Sequence, residues 1–404
     1  MFAEKFDQAK LLADARAIDG LEDFGDPVFY RSLEVLLKDL AQAPLNKLGA
    51  NILSAGIVRS LANRLRLNAW FSRHPEIANE EIIAPVVVVG MMRSGTTLIQ
   101  RLLASDPKHC TTLGWEALEP APALDYDPLT PFLNDSRIAN AEQREANSRK
   151  YTPQLFSIHP SYAHKGEEEI MFLADAFMSH VHESSCQLPN YRAWLDQQDF
   201  TPAYQHLYRC LQILQWQKKH RGEPCQRWVL KTPAHLGYLD TLLAMFSDAH
   251  IVHLHRDPVD TIPSGASLNT TLWRMHSDDV DPRQVGRQWL ERMSWTNQRA
   301  LDIRETMKND RQRFTDIYFR DAVSDPISQI EKIYLALGQS LSDQARVAMT
   351  DWLLEDGDDK LPKHSYQAED FGLTDALIEQ RFHAYKQRFH KNYSIAIMNN
   401  IHNR

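Results

Sequence analysis

The chain has 404 residues, 43% hydrophobic and 24% charged, which is ordinary globular usage and enough for one elaborated domain or two. Its formal net charge of −8 repels polyanions and argues against nucleic acid as a partner, while local lysines, arginines and backbone amides can still hold a small anion. No apolar run exceeds the length of a strand, Ile82 to Val89 being typical, so no transmembrane segment is expected.

The opening stretch, MFAEKFDQAKLLADARAIDG, is amphipathic and carries acids, unlike the apolar core of a signal peptide, so a cytoplasmic protein is expected. Cys110, Cys186, Cys210 and Cys225 are widely spaced and read as reduced thiols. The 17 histidines form no HExxH or HxH…C pattern, so no metal is expected. Residues 1 to about 80 read as helices. Leu33, Leu36, Leu37 and Leu40 give one apolar face, and Leu53, Ile57, Leu61 and Leu65 another. This segment is expected to pack on a catalytic domain spanning 81–404. Its alternative roles are a lid or the interface of a homodimer.

At Ala84 the character changes. Pro85 to Val89 is a short β-branched run, as in a parallel strand buried on both faces. Gly90-Met91-Met92-Arg93-Ser94-Gly95-Thr96-Thr97 follows, then Leu98, Leu102 and Leu103 at helical spacing, stopped by Asp106-Pro107. Residues 120 to 225 read as a mainly helical, aromatic and His-rich insertion on the acceptor side. Trp228-Val229-Leu230 leads through Lys231-Thr232-Pro233 into a helix with Leu236, Leu239, Leu242, Leu243 and Phe246. Ile251 to His255 leads into Arg256-Asp257-Pro258, with Asp257 as N-cap and Pro258 as first helical residue. Pro263 predicts a kink or a short helix there. Helices dominate 283–354, with a strand near Phe314 to Tyr318. Residues 355–372 read as an acidic loop, and a final helix carries Leu377, Ile378, Phe382, Tyr385 and Phe389. Strands alternating with helices predict an α/β fold with a parallel sheet flanked by helices.

A strand, a glycine-bounded loop and a helix start form an anion cradle. ATPases write this loop GxxxxGK[ST], with a lysine for the terminal phosphates. Here Thr96 stands in the lysine's place, and Arg93 lies two residues before the second glycine. The string GMMRSGTTL resembles the 5′-phosphosulfate loop of the sulfotransferase superfamily, often PKSGTT or PRSGTT. RDPVDTIPS, with Ser264 eight residues after Arg256, resembles the superfamily's 3′-phosphate site. VLKTPAHL is similar to its KSP or KTH stretches. Trp115-Glu116, the string EDFGLTDALIEQRFHAYKQRF and the opening helices resemble one large bacterial branch, as does Gly166-Glu167-Glu168-Glu169-Ile170, with Gly166 where that branch often has proline.

The resemblance implies a P-loop NTPase-like sulfotransferase fold. It also implies 3′-phosphoadenosine 5′-phosphosulfate (PAPS) as donor, 3′-phosphoadenosine 5′-phosphate (PAP) as product, and no metal. The donor would lie on Arg93, Ser94, Gly95, Thr96, Thr97, Arg256 and Ser264, with Lys231 stabilising the leaving phosphate. An attacking hydroxyl must lose its proton. Cytosolic members use a histidine where this chain has Pro233. Glycan-type members use a glutamate in a segment like EEEIMFL, which makes Glu168 the first choice of base and Glu169 the second, with His159 and His235 in reserve. The acceptor would be a hydroxyl or amine of a small molecule, glycan or lipid. Ile170 to Phe177 and Trp273 to Met275 hint at an apolar one, against a competing reading as core. Two rivals stand beside this reading: a P-loop kinase or NTPase, and a non-catalytic nucleotide-binding protein of the same fold.

Overall fold

The computed structural model describes residues 2–127, 135–223, 225–356 and 365–390. Among them five strands form one parallel sheet: β1 (Val86–Gly90), β2 (His109–Cys110), β3 (Arg227–Lys231), β4 (His250–His255) and β5 (Phe314–Tyr318), in the order β2-β3-β1-β4-β5. The valines of β1 alternate between two cores. Val87 and Val89 join the large cluster that includes Leu33, Leu61, Leu230 and Ile251, while Val86 and Val88 join Ile99, Leu102, Val229 and Val252. A strand buried on both faces needs a continuous apolar run, which the sequence supplies.

The N-terminal helices are α1 (Gln8–Asp19), α2 (Phe29–Leu40) and α3 (Lys47–Arg73). Their leucines enter the same cluster as one face of the sheet. Helix α4 (Thr96–Ala104) follows β1. Between β2 and β3 the chain makes a helical excursion through α5 (Gly114–Leu118), α6 (Ser136–Tyr151), α7 (Pro153–Ile158), α8 (Ile170–Asp175), α9 (His180–Ser185), α10 (Pro189–Leu195) and α11 (Thr201–His220). Helix α12 (Leu239–Met245) precedes β4, α13 (Pro258–His276) and α14 (Pro282–Thr306) follow it, and α15 (Phe319–Ser324) continues directly from β5. Among the described residues no helix is long and apolar enough to cross a membrane.

Three local expectations are corrected, and a fourth lies partly outside the described residues. Of the kink or short helix expected at Pro263, the short helix is corrected: α13 runs for 19 residues with Pro263 inside it, capped by Asp257 with Pro258 in its first turn. Packing explains this. A Cβ at Gly265 would lie 2.3 Å from Trp289 Nε1, so the bare glycine lets α13 sit tightly on α14, and that contact outweighs one lost backbone hydrogen bond. The final helix is broken into Asp375–Arg381, His383–Tyr385 and a π-turn at Lys386–His390. Of the loop expected at 355–372, residues 357–364 lie outside the described residues, and its far end holds a 3-10 turn at Ala368–Phe371. Finally, Cys110 and Cys225 form a disulfide, leaving Cys186 and Cys210 as buried thiols. Sheet pairing brings the two together: Cys110 faces Trp228 across β2 and β3, and the Gln226 amide donates to Lys108 O at 3.0 Å.

Candidate active site

Strand β1 lies between β3 and β4, so the segments following all three strands meet at one edge, where open α/β sheets bind ligands. The loop after β1 turns on backbone that favours glycine, with φ of +154° at Gly90 and +92° at Gly95, while Arg93 holds +68° without that freedom. A Cβ at Gly90 would come 2.7 Å from Ser94 Oγ and 2.8 Å from Leu254 O. Ser94 is fully buried and its hydroxyl donates to Met91 O at 2.6 Å, so it closes the loop on itself. Helix α4 starts with no side-chain cap, which leaves its first amides without an intrahelical or capping partner. Thr96 is buried and Thr97 exposed in that first turn. Arg93 is exposed and sends Nη1 to Ile158 O at 3.0 Å. A glycine cradle, an uncapped helix start and an exposed arginine can hold a phosphate- or sulfate-type anion.

Arg256 reaches across from the end of β4. Its Nη1 donates to Arg93 O at 3.0 Å, tying the two arginine-bearing segments together. Its guanidinium lies 4.1 Å over the ring of Phe319, and the same ring would meet a Cβ on Gly95 at 3.0 Å. Phe319 therefore supports both halves of the anion edge. Sequence reasoning missed it, although it directly follows the strand expected at Phe314 to Tyr318. Ser264 is buried on the second turn of α13.

Behind Arg256 stands a buried network. His255 pairs through Nε2 with Asp316 Oδ1 at 2.8 Å and through Nδ1 with the Tyr385 hydroxyl at 3.1 Å, and Phe389 stacks on its ring at 3.9 Å. Burial pushes the His255 imidazole down against the pull of Asp316. The neutral ring then donates from Nε2 and accepts at Nδ1. His253, His255 and Asp316 bring ligand atoms within 4.8 Å of one another, as a metal would require. Arg304, however, forks onto Asp316 at 2.6 and 2.9 Å and reaches His253 Nδ1 at 3.0 Å. A fixed cation therefore sits among those ligand atoms.

On the other flank the three glutamates separate. The Glu167 amide donates to Thr112 O at 2.8 Å, and Gly166 bridges Leu113, so the edge after β2 positions the triplet. Glu168 Oε1 accepts from Lys231 Nζ at 2.6 Å and Oε2 from Thr232 Oγ1 at 3.0 Å. Burial pushes the Glu168 carboxyl up, but the charges of Lys231 and His159 and the two hydrogen bonds outweigh it and hold the group below the usual carboxylate range. Glu169 is fully buried and faces the other way. Its Oε1 lies 2.8 Å from His235 Nε2, and its Oε2 accepts the Lys231 amide at 3.1 Å. His235 Nδ1 lies 2.7 Å from the Tyr204 hydroxyl. The structure thus brings Glu168 and Lys231 together, and gives Glu169 and His235 to each other.

Glu168 and His159 lie on the wall of a cavity of about 400 Å³. Met92 of the anion loop lines the same space, as do Ile170, Met171, Leu268, Leu272, Trp273, Val285, Trp289 and Met293. Of the stretches that hinted at an apolar acceptor, Ile170, Met171 and Trp273 face this cavity, whereas Phe172 and Phe177 are core. The wall also carries a buried charge network. Glu183 accepts from Arg292 at 2.6 and 3.1 Å and pairs with His180 at 2.8 Å. Burial pushes Glu183 up, but Arg292 and His180 bring it down to about 2.

Residues 85–343 match the family model described as "Sulfotransferase family". Omega-hydroxy-beta-dihydromenaquinone-9 sulfotransferase Stf3 of Mycobacterium bovis and of Mycobacterium tuberculosis is 25% identical over 279 residues. That stretch is 64% of this chain and 64% of each relative, so the chain spans just under two thirds of the curated relatives it matches. The crystal structure of sulfotransferase STF1 from Mycobacterium tuberculosis is 30% identical with a TM-score of 0.81, covering 93% of this chain and 98% of that one. Sulfotransferase STF9 from Mycobacterium avium shares the fold, with a TM-score of 0.83 at 24% identity over 95% and 96% of the two chains. With the family model matched across the whole sheet and a solved relative shared over nearly its full length, the chain belongs to the sulfotransferase family.

Proposed function

We propose that this chain is an enzyme that transfers a sulfuryl group from PAPS to a hydroxyl on an apolar small-molecule acceptor. The observation carrying the proposal is the Lys231–Glu168 pair at 2.6 Å, set where an apolar cavity meets the anion loop. Glu168 accepts the acceptor's proton as the acceptor oxygen bonds to sulfur and the bond from sulfur to the phosphate oxygen breaks. Negative charge then grows on that phosphate, and Lys231, Arg93 and the first amides of α4 offset it. Arg256 and Ser264 hold the 3′-phosphate, with Phe319 beneath the guanidinium. In the free protein Lys231 neutralises Glu168. When its ammonium turns to the phosphate, Glu168 loses its nearest counter-charge, keeps Thr232 and the His159 charge, and gains basicity, so the base is armed with donor in place.

Thr96, in the place of a P-loop lysine, favours this reading over a kinase or NTPase, and the proposed steps call on no metal. The apolar wall favours a lipid-like alcohol, and the relative Stf3 is named as a sulfotransferase of omega-hydroxy-beta-dihydromenaquinone-9. Turnover with labelled PAPS against a panel of apolar alcohols tests the proposal. Sulfated product from at least one is expected. No transfer to any of them, together with no binding of PAP, would overturn it. The cytoplasmic setting belongs to the same proposal. A lasting disulfide is uncommon there, so counting free thiols in freshly lysed cells tests that part. Sedimentation at micromolar concentration tests the homodimer.

A further inference from the structure

A second cavity, about 430 Å³, lies between α1 and α3. Adjacent residues line it and the cavity that holds Glu168: Leu118 lines that space and Glu119 this one. Two arginines of α3 reach it, Arg59 and Arg66, which at a spacing of seven residues share a helix face. Their situations differ. Arg66 is satisfied, with Asp19 at 2.6 Å and Glu119 at 3.3 Å. The other oxygen of Glu119 is taken by Arg144 at 2.6 Å. Arg59 has no hydrogen-bond or ion-pair partner among the described residues, and its Nε is buried. Asp175, a more distant carboxylate, is already bonded by Asn63 at 2.8 Å.

Arg59 is half-buried, with Asp175 and Glu119 as its only nearby charges of opposite sign among the described residues, neither bonded to it; burying its Nε without a hydrogen bond is destabilising, and an incoming anion relieves that cost. The rim adds Lys5 and Lys10, neither of which has an ion-pair partner among the described residues. Against these three uncommitted cations stands one exposed carboxylate, Asp14. Leu11, Ile18 and Val58 complete the wall with apolar surface, and Ile18 is 50% exposed. We infer that this cleft is a binding site for a phosphate- or sulfate-type oxyanion, with Arg59 at its base and Lys5 and Lys10 at its mouth. Burial pushes the Arg59 guanidinium below its ordinary value, in keeping with a cation that awaits a partner. The same oxyanion chemistry comes from a free inorganic ion or from the head group of an anionic lipid, whose tail the apolar wall would meet.

The experiment keeps the donor edge out of play by saturating it with PAP. Sodium sulfate and sodium phosphate are titrated while the melting temperature is followed at constant ionic strength. In parallel, the protein is sedimented with vesicles of phosphatidylglycerol or of phosphatidylcholine. A saturable response to the free ions identifies the ion as ligand, and binding to phosphatidylglycerol alone identifies the lipid. In either case Arg59→Gln should weaken the response at least tenfold without changing PAP affinity. If Arg59→Gln folds poorly, the Lys5→Gln/Lys10→Gln double variant should weaken it severalfold. In anion-free buffer Arg59→Met should melt no lower than wild type, because a destabilising charge has gone. No saturable response from wild type to either source, or a response that survives both sets of substitutions, overturns the inference.

Discussion

Glu169 binds the Lys231 segment through its backbone while its neighbour Glu168 binds the Lys231 side chain: the Lys231 amide donates to Glu169 Oε2 at 3.1 Å, and its ammonium to Glu168 Oε1 at 2.6 Å. Adjacent carboxylates therefore hold one lysine at two points. The buried one, braced by His235, fixes the end of β3, and the one on the cavity wall meets the charge that β3 delivers.

Substituting the two glutamates should separate these roles. Glu168→Gln keeps the side chain's size but removes the proton acceptor, so PAP binding should persist while turnover falls about a hundred- to ten-thousandfold. Glu169→Gln should instead lower stability by about 1–3 kcal/mol, because a buried partner of His235 and of the Lys231 amide is mismatched. Calorimetric PAP binding, single-turnover rates and thermal melts on both variants check this. Full activity in Glu168→Gln would remove it from the chemistry.

The acid limb of the pH–rate profile follows from Glu168. The carboxylate must be ionised to accept a proton, and its folded pKa lies below the ordinary 4.5, so kcat/KM should hold as pH falls to that region and drop beneath it. The same depression stabilises the fold above the unfolded pKa, a contribution lost as pH falls through the folded value. Lys231→Met removes the main opposing charge and leaves burial to dominate, so in that variant the acid limb should move upward. A limb that stays put would show that Lys231 does not set the Glu168 pKa.

Arg256 should govern discrimination for the 3′-phosphate. Wild type should be stabilised by PAP more than by adenosine 5′-phosphate, without magnesium. Arg256→Ala should make the two equal by weakening PAP binding about 1.5–3 kcal/mol, the scale of a hydrogen bond to a charged group. Phe319→Leu should shift the same comparison in the same direction, since the ring underlies the guanidinium. Thermal shifts with both nucleotides decide it.

The disulfide gives a prediction of the opposite kind to the one its cysteines suggested in the sequence. A cross-link closing 115 residues restricts the unfolded chain, so Cys110→Ser, or full reduction, should lower stability by about 2–4 kcal/mol. Denaturant melts with and without reductant measure this, and a thiol assay of the native protein should find Cys110 and Cys225 unreactive.

The donor edge was legible because its signals are local. Four valines followed by Gly90, the cap Asp257 with Pro258, and Lys231 at a strand's end can each be read within ten residues. What could not be read was pairing at a distance. His255 and Tyr385 are 130 positions apart, and Glu169 and His235 are 66 apart. Nothing in either neighbourhood announces such a partner. The short helix expected at Pro263 misled for the converse reason. A local rule about helices was sound, but Gly265 and Trp289, brought together by the fold, outweighed it.

The chain leaves the sheet at β2 and returns at β3, its immediate neighbour, with Cys110 and Cys225 joined at the two points of departure. An excursion that begins and ends at one place behaves as a cassette. Another set of helices could take its place if it reproduced their seats on the frame, such as Ile158 O for Arg93 and the Tyr204 hydroxyl for His235. The proposed proton acceptor, Glu168, rides on the cassette, whereas Lys231 belongs to the frame. A transplanted acceptor module would therefore bring its own base, and it must rebuild that base segment's contacts with its host: Glu168 with Lys231 and Thr232, and Glu169 with His235 and the Lys231 amide.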